Sequence, residues 1–183
     1  MPQYVALLRG INLGRRRVRM EDLRACFEAL KFRHVATFIA SGNVLFATPA
    51  ADDARLAARI AAHLEKSLGY PVDTFVRTRA ELAAVVAAEP FSRREKLDPE
   101  HIVTVGFLGA PPDAAQAAGL AAIATPKDAF HVAGREFYWL YRGDRTSDSP
   151  VWSSPALRAL ELPTMTMRNL NTLRRLVAEY PAE

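Results

Sequence analysis

The chain has 183 residues, of which 50% are hydrophobic and 24% charged, and it carries a formal net charge of +4 at pH 7. This length and composition predict one or two ordinary globular domains, and the single Cys26 excludes an internal disulfide. No apolar run approaches the ~20 residues that cross a bilayer, and the N-terminus lacks a secretory leader, so we expect a cytoplasmic protein with no membrane partner. The mild basic excess permits an anionic partner without requiring one.

The first half of the chain alternates short β-rich runs with amphipathic stretches. Strands are predicted at residues 4–8, 35–39, 44–47 and 72–76. Helices are predicted at 20–30 and 56–68, where apolar residues recur at helical spacing, and Gly69 and Pro71 end the second of them. The resulting order, β-α-β-β-α-β, is that of a ferredoxin-like fold.

This topology makes a specific spatial prediction. The first and second strands run parallel with the third between them in the opposite direction. The loop after the first strand, residues 9–14, and the turn after the second, residues 41–43, are therefore expected at the same end of the sheet. Two polar loops that are distant in sequence become neighbours.

A connecting helix follows the first half, and the second half then repeats the pattern with shorter elements. Thr78 and Glu81 have the spacing of a capping box and predict a helix that ends near Glu89 and Pro90. Residues 92–99 are predicted to be a linker, and 143–154 a polar loop. Further strands are predicted at 101–108, 129–132, 136–141 and 164–167, and helices after Pro112, at 155–160 and at 171–180. We therefore predict an α+β protein with two tandem ferredoxin-like α/β-plait domains, each with an antiparallel sheet, at residues 1–90 and 100–183.

Three segments carry a family resemblance. In chain order they are Val5-Ala6-Leu7-Leu8-Arg9-Gly10-Ile11-Asn12-Leu13-Gly14 with Met20 and Leu23, then Ser41-Gly42-Asn43-Val44, then Arg168-Asn169-Leu170-Asn171-Thr172. Together they resemble the bacterial domain-of-unknown-function 1697 family over nearly the whole chain. The resemblance implies two ferredoxin-like domains in tandem and implies no activity. The sequence departs from the family pattern in its basic Arg15-Arg16 pair and in Leu170, where the family typically has tryptophan.

Residues 9–19 are a candidate anion site. Gly10 and Gly14 allow a backbone path that exposes amide N–H groups, and five arginines in this segment can neutralise phosphates. The alternative is a solvated basic turn in an arginine-rich chain, and the pattern is neither a Walker loop nor a Rossmann fingerprint. Ser41 and Asn43 are explained by turn chemistry, but their expected closeness to Arg9 and Asn12 makes them candidates as well.

The third motif contains more polar groups than a helix start requires. Asn169 or Asn171 can cap the last helix, and one residue is enough for that role. Arg168 and the second asparagine therefore bind a ligand or fix the orientation of the two domains, and the sequence leaves both interpretations open.

Catalytic and metal sites are not indicated. The four histidines are scattered over different elements, so no metal is expected, and no cofactor motif is present. An RNA-recognition domain is not expected because the third strand lacks the basic-Gly-aromatic signature.

The leading hypothesis is a protein that binds an anionic ligand, a nucleotide or a nucleic-acid backbone, between its two domains. The candidate ligand-binding residues are Arg9, Asn12, Ser41, Asn43, Arg168, Asn169 and Asn171. The alternatives are an enzyme acting on a small phosphorylated or carboxylated substrate, with Ser41 as the only candidate nucleophile, and a purely structural or interaction scaffold.

Overall fold

The computed structural model describes residues 1–12, 14, 16–40, 42–92 and 102–180. The chain divides into two compact units, the first built from Met1–Ala84 and the chain from Leu176 onward, the second from Val85–Arg175. Apart from Ser92, the predicted linker lies outside the described residues.

The first unit contains a four-stranded antiparallel sheet. Its strands are β1 (Gln3–Leu8), β2 (Arg33–Phe38), β3 (Asn43–Ala47) and β4 (Thr74–Thr78), in the spatial order β2-β3-β1-β4. Helix α1 (Met20–Ala29) joins β1 to β2, and α2 (Asp53–Leu68) joins β3 to β4. This is the connectivity of the ferredoxin-like fold, because β1 and β2 are parallel with β3 antiparallel between them.

One face of the first sheet packs against α1 and α2. Tyr4, Phe46 and Val76 on the sheet and Phe27 and Ile60 on the helices are all buried in this core. The side chains on this face alternate with those on the other, as the period of two in a strand requires. The predicted apolar faces of the helices therefore account for the core of this unit.

The second unit repeats the same connectivity. Its strands are β5 (Ile102–Leu108), β6 (Asp128–Ala133), β7 (Glu136–Tyr141) and β8 (Met165–Asn169), in the order β6-β7-β5-β8, with every neighbouring pair antiparallel. Helix α4 (Ala114–Ala122) follows β5, and the short α5 (Pro155–Ala159) precedes β8. The fold prediction of two ferredoxin-like plaits in tandem is confirmed.

Each sheet passes directly into a helix. Strand β4 ends at Thr78 and α3 (Arg79–Ala87) begins at the next residue, while β8 ends at Asn169 and α6 (Leu170–Glu179) begins at the next. The predicted capping box is present, since Thr78 Oγ1 accepts from the Glu81 amide at 3.1 Å and Glu81 Oε2 accepts from the Thr78 amide at 2.7 Å. Asn169 Oδ1 accepts from the Asn171 amide at 2.8 Å, which confirms that one asparagine caps α6.

Several predicted bounds differ from the structure by one to three residues, and one predicted loop contains helical turns. Strand β4 begins two residues later than expected, because Val72 is buried as part of the connection and pairing with β1 starts at Thr74. The predicted polar loop at 143–154 contains two 3-10 helices, at Thr146–Asp148 and Pro150–Ser153, and Ser149 caps the second through the Val151 amide. No helix in the part of the chain that the structure describes is long and apolar enough to span a bilayer.

Candidate anion-binding site

The β1–α1 loop and the β2–β3 turn meet at one end of the first sheet, as the topology predicts. The Leu8 amide donates to the Gly42 carbonyl at 2.8 Å, and Leu7 lies opposite Asn43 in the strand pairing. The start of β4 lies at the same end, where the Arg9 amide donates to the Asp73 carbonyl at 2.9 Å. The β1–α1 loop, the β2–β3 turn and the segment before β4 therefore meet at this end of the sheet.

Asn12 fixes the conformation of the first loop. Its backbone is left-handed, with φ of 58°, a conformation that asparagine tolerates better than most residues. Its Oδ1 accepts from the Val18 amide at 2.7 Å, and its Nδ2 donates to the Ala40 carbonyl at 3.2 Å. One side chain thus closes the loop on itself and joins it to the β2–β3 turn.

Gly42 is required by both its conformation and its surroundings. Its φ is +77°, and a Cβ at this position would lie 3.0 Å from Leu8 Cβ and 3.3 Å from Ile11 Cβ. A side chain here is strained in its backbone and also collides with the end of β1. The close approach of the two loops therefore depends on this glycine.

Two arginines at this end of the sheet are paired with carboxylates. Arg9 Nη1 lies 3.4 Å from Asp73 Oδ2, and both side chains are about half exposed. Arg19 forms a two-pronged contact with Asp22, at 2.8 and 3.0 Å, and this hydrogen bond lowers the pKa of the Asp22 carboxyl. Their charges are largely compensated within the protein.

Two other arginines have no carboxylate partner. Across the described ranges neither Arg16 nor Arg17 forms an ion pair, and both side chains are exposed. Arg17 Nη1 donates to the carbonyl oxygens of Asn12 and Arg16, at 3.1 and 3.2 Å. The Arg16 guanidinium lies over the ring of Tyr70, 4.4 Å from its centroid, in a cation–π contact. Both charges are held in place without being neutralised.

An open concavity of about 510 Å³ lies beside these groups. It is lined by Asn12, Arg17, Val18, Arg19 and Ala40. The β1–α1 loop and the β2–β3 turn form the walls of this concavity, and the hydrogen bonds of the Asn12 side chain join them. Leu13, Arg15 and Ser41 lie outside the described residues.

Asn43 is fully buried, and its Nδ2 donates to the Phe38 carbonyl at 3.2 Å. This contact joins the ends of β2 and β3 across the turn. Asn43 thus lies next to the converging loops, with its side chain directed into the protein. In this position it shapes the turn that carries Ala40.

The third predicted motif lies in the second unit. Arg168 is 9% exposed, and its Nη1 donates to Thr166 Oγ1 and to the Met167 carbonyl, both at 2.9 Å. Burial lowers the pKa of its guanidinium to about 10. Asn171 Oδ1 accepts from Arg174 Nη1 at 3.0 Å. These groups make contacts inside their own unit, and their role as ligand contacts stays a prediction.

Two residues at the first-unit site were missed by sequence reasoning. Tyr70 and Asp73 lie just before the start of β4, in a segment for which the sequence predicted only the end of a helix and a strand from residue 72. The signal was present in the topology: β4 is antiparallel to β1, so the residues before it must lie beside the end of β1. Among the described residues, no cluster of three His, Cys, Asp or Glu side chains could hold a metal ion.

The protein therefore consists of two α/β plaits, and the loops at one end of its first sheet carry several arginines. The chain matches the profile of the family described as "Protein of unknown function (DUF1697)" over residues 1–138, and it belongs to that family. The Arg168–Thr172 motif lies beyond the matched range.

A solved structure shares the architecture. The conserved bacterial protein SP0830 from Streptococcus pneumoniae is similar to this chain with a TM-score of 0.76 and 17% identity, over 100% of this chain and 99% of that one. At this identity the likeness shows the fold alone. No curated protein matches.

Proposed function

We propose that the protein binds a phosphate-bearing anion, a nucleotide or a nucleic-acid backbone, through the cationic loop, defined as residues 9–19 of the first unit. The observation that carries the proposal is the pair Arg16 and Arg17, two exposed guanidiniums without a carboxylate partner in the described structure. Guanidinium groups match phosphate oxygens in geometry and charge.

The described residues of this loop are held in place before a ligand arrives. The two hydrogen bonds of the Asn12 side chain fix its path, and the Tyr70 ring supports the Arg16 guanidinium. Ordering a long side chain on binding costs about 0.5–1.5 kcal/mol, so a cation that is already placed gains affinity for its partner. A merely solvated basic turn would not need these supports.

The concavity beside Arg17 favours an extended ligand. It is open, and both Arg17 and Arg19 line it, so a ligand with several phosphates can meet more than one guanidinium. Arg9 and Arg19 add positive charge at the same end of the sheet, although their ion pairs with Asp73 and Asp22 reduce what they contribute to anion binding. A cytoplasmic location, where such ligands are abundant, is part of the proposal.

The test is fluorescence anisotropy with labelled single-stranded and double-stranded oligonucleotides at low and physiological salt. Arg16→Ala/Arg17→Ala is compared with Arg33→Ala/Arg55→Ala, which removes the same charge at the other end of the first sheet. We expect the loop variant to bind more weakly and to reduce the salt slope by about one per lost phosphate contact. Absence of binding at low salt, or equal losses in both double variants, would overturn the proposal.

A further inference from the structure

Strand β6 forms one edge of the second sheet and pairs with β7 on its inner side. The pairing keeps a single register over all six residues, from Asp128 opposite Tyr141 to Ala133 opposite Glu136. Edge strands are commonly protected by a bulge or by charged side chains, because an unprotected edge pairs with other strands. The edge strand β2 of the first sheet has such a break, since its register shifts after Arg33. Strand β6 is uninterrupted.

Two residues of β6 direct their backbone groups away from β7. The Arg142 amide donates to the Lys127 carbonyl at 2.8 Å, and these two residues lie directly opposite each other in the antiparallel register. Every second residue after Lys127 therefore also bonds to β7, and the N–H and C=O groups of Phe130 and Val132 point outward. Across the described ranges, none of these four groups has a hydrogen-bond partner.

The side chains of β6 also leave this edge open to another strand. No Lys, Arg, Asp or Glu lies between Ala129 and Ala133. Phe130 and Val132 are half-buried against the core of the second unit, while His131 and Ala133 are exposed on the other face of the sheet. An added strand would therefore meet apolar side chains on one face, small ones on the other, and no fixed charge between them.

We propose that β6 pairs antiparallel with β6 of a second copy of the chain, about a twofold axis at His131, so that the protein forms a dimer. The outward amide and carbonyl of Asp128 are already bonded to Thr125. The pairing that uses the four remaining groups joins Phe130 to the partner's Val132, and Val132 to the partner's Phe130. Each of these two pairs makes two N–H···O bonds, and the two second sheets become one continuous sheet.

The strand is complementary to itself in this register. Phe130 lies beside the partner's Val132, an aromatic and β-branched pair of the kind that stabilises sheets, and Ala129 lies opposite the partner's Ala133. The contact is isologous, as in most homodimers, and it continues the antiparallel pairing of the whole sheet. A contact of one strand from each copy is smaller than the standard interface of about 1,600 Å², so we expect the dimer to dissociate on dilution.

The first test combines sedimentation velocity of the full chain at increasing concentration with amide hydrogen exchange measured by NMR. We expect a reversible monomer–dimer equilibrium. The amides of Phe130 and Val132 should exchange more slowly at high concentration, because they become bonded in the dimer. The Ala129 amide, which bonds to β7 in the monomer, is the internal control and should change much less. A chain that stays monomeric, or exchange at Phe130 and Val132 that is independent of concentration, would overturn the proposal.

Variants at the axis test the register. His131→Lys and His131→Asp each place like charges opposite each other, so each alone should dimerise roughly fivefold more weakly. An equimolar mixture brings a lysine opposite an aspartate and should restore dimerisation as the heterodimer. Ala62→Lys, at an exposed position of α2, is the control and should dimerise like the wild type.

Val132→Pro tests the hydrogen bonds directly. It removes an outward N–H without removing a bond to β7, a position at which an edge strand tolerates proline, and it should leave the chain monomeric. If Val132→Pro fails to fold, the mixture of the two His131 variants decides alone. A dimer that persists in folded Val132→Pro, or a mixture that does not recover, would assign the contact to another surface and contradict the proposal.

Discussion

The buried carboxylate of Asp128 accepts a hydrogen bond from the indole Nε1 of Trp139 at 2.8 Å, across the β6–β7 hairpin. The same Asp128 oxygen accepts from Ser149 Oγ at 2.6 Å, and the other oxygen accepts from Thr125 Oγ1 at 2.6 Å. Three donors therefore compensate one buried charge. This network attaches the segment with the two 3-10 helices to the second sheet.

The two tryptophans of the second unit should differ in their contribution to stability. Trp139 and Trp152 pack edge-on with centroids 4.9 Å apart, but Trp152 Nε1 is buried without a hydrogen-bond partner in the described structure. Trp139→Phe removes a hydrogen bond to a charged group, worth about 1.5–3 kcal/mol, whereas Trp152→Phe removes a donor that is already unsatisfied. We expect the free energy of unfolding to fall further in Trp139→Phe, by about 2 kcal/mol. Urea unfolding followed by circular dichroism measures this, and equal losses would contradict the assignment.

Two glycines with nearly the same φ allow a steric cost to be separated from a backbone cost. Gly42 and Gly69 have φ of +77° and +78°, but only Gly42 has neighbours within 4 Å of an added Cβ. Gly69→Ala should destabilise by roughly 1–2 kcal/mol, the cost of a left-handed L-residue. Gly42→Ala should cost more, because its Cβ also meets Leu8. If thermal unfolding shows the same loss for both, the turn yields to the clash and the tight approach is not required.

Asn12→Gly tests whether the cationic loop is organised in advance. Glycine keeps the left-handed backbone but removes both side-chain hydrogen bonds, so the Val18 amide should exchange its hydrogen faster and the oligonucleotide affinity should fall with every arginine retained. His34→Gly is the control, since His34 also has a positive φ, of 51°, and lies in β2 towards the other end. An unchanged affinity in Asn12→Gly would show that the loop needs no preorganisation.

Tyr138 should make stability depend on pH in the alkaline range. Its hydroxyl donates to the Val85 carbonyl at 2.9 Å, and burial, with a smaller effect of Glu136, raises its pKa to about 12. The unfolded phenol ionises near pH 10, so the unfolded state binds fewer protons between about pH 10 and 12 and stability falls as pH rises.

Tyr138→Phe should be less stable at neutral pH, by about 1 kcal/mol for the lost hydrogen bond. Its stability should nevertheless decline less than that of the wild type between about pH 10 and 12. Urea midpoints of both proteins across this range give the comparison. Parallel decline of the two curves would mean that Tyr138 does not titrate differently on folding.

Much of the fold was predictable because each helix or strand is specified by residues within it or directly beside it. The apolar spacing of Leu56, Ile60 and Leu64 defines α2, and Gly69, with its positive φ, ends it as predicted. The segment around Ser149 was not predicted, because 3-10 turns have no sustained period and depend on the buried contact with Asp128. Local patterns specify regular elements, whereas irregular ones are specified by distant partners.

The same distinction applies to the candidate sites. Topology was enough to predict that the loop with Asn12 meets the β2–β3 turn. The outward direction of the Phe130 and Val132 backbone groups was not accessible, because the predicted strands give no pairing register. Recognising it requires the hydrogen bond between Arg142 and Lys127, and both residues lie outside the predicted strands.

The direct passage of β8 into α6 leaves no residue to absorb a change in length. A helix turns by about 100° per residue, so one extra residue between Asn169 and Leu170 would rotate the buried stripe of Leu170, Leu173 and Leu176 toward water. The β4–α3 junction has the same property. We expect the chain to tolerate insertions in its hairpins far better than at these two junctions. At each junction the end of the strand sets which side of the following helix faces the core.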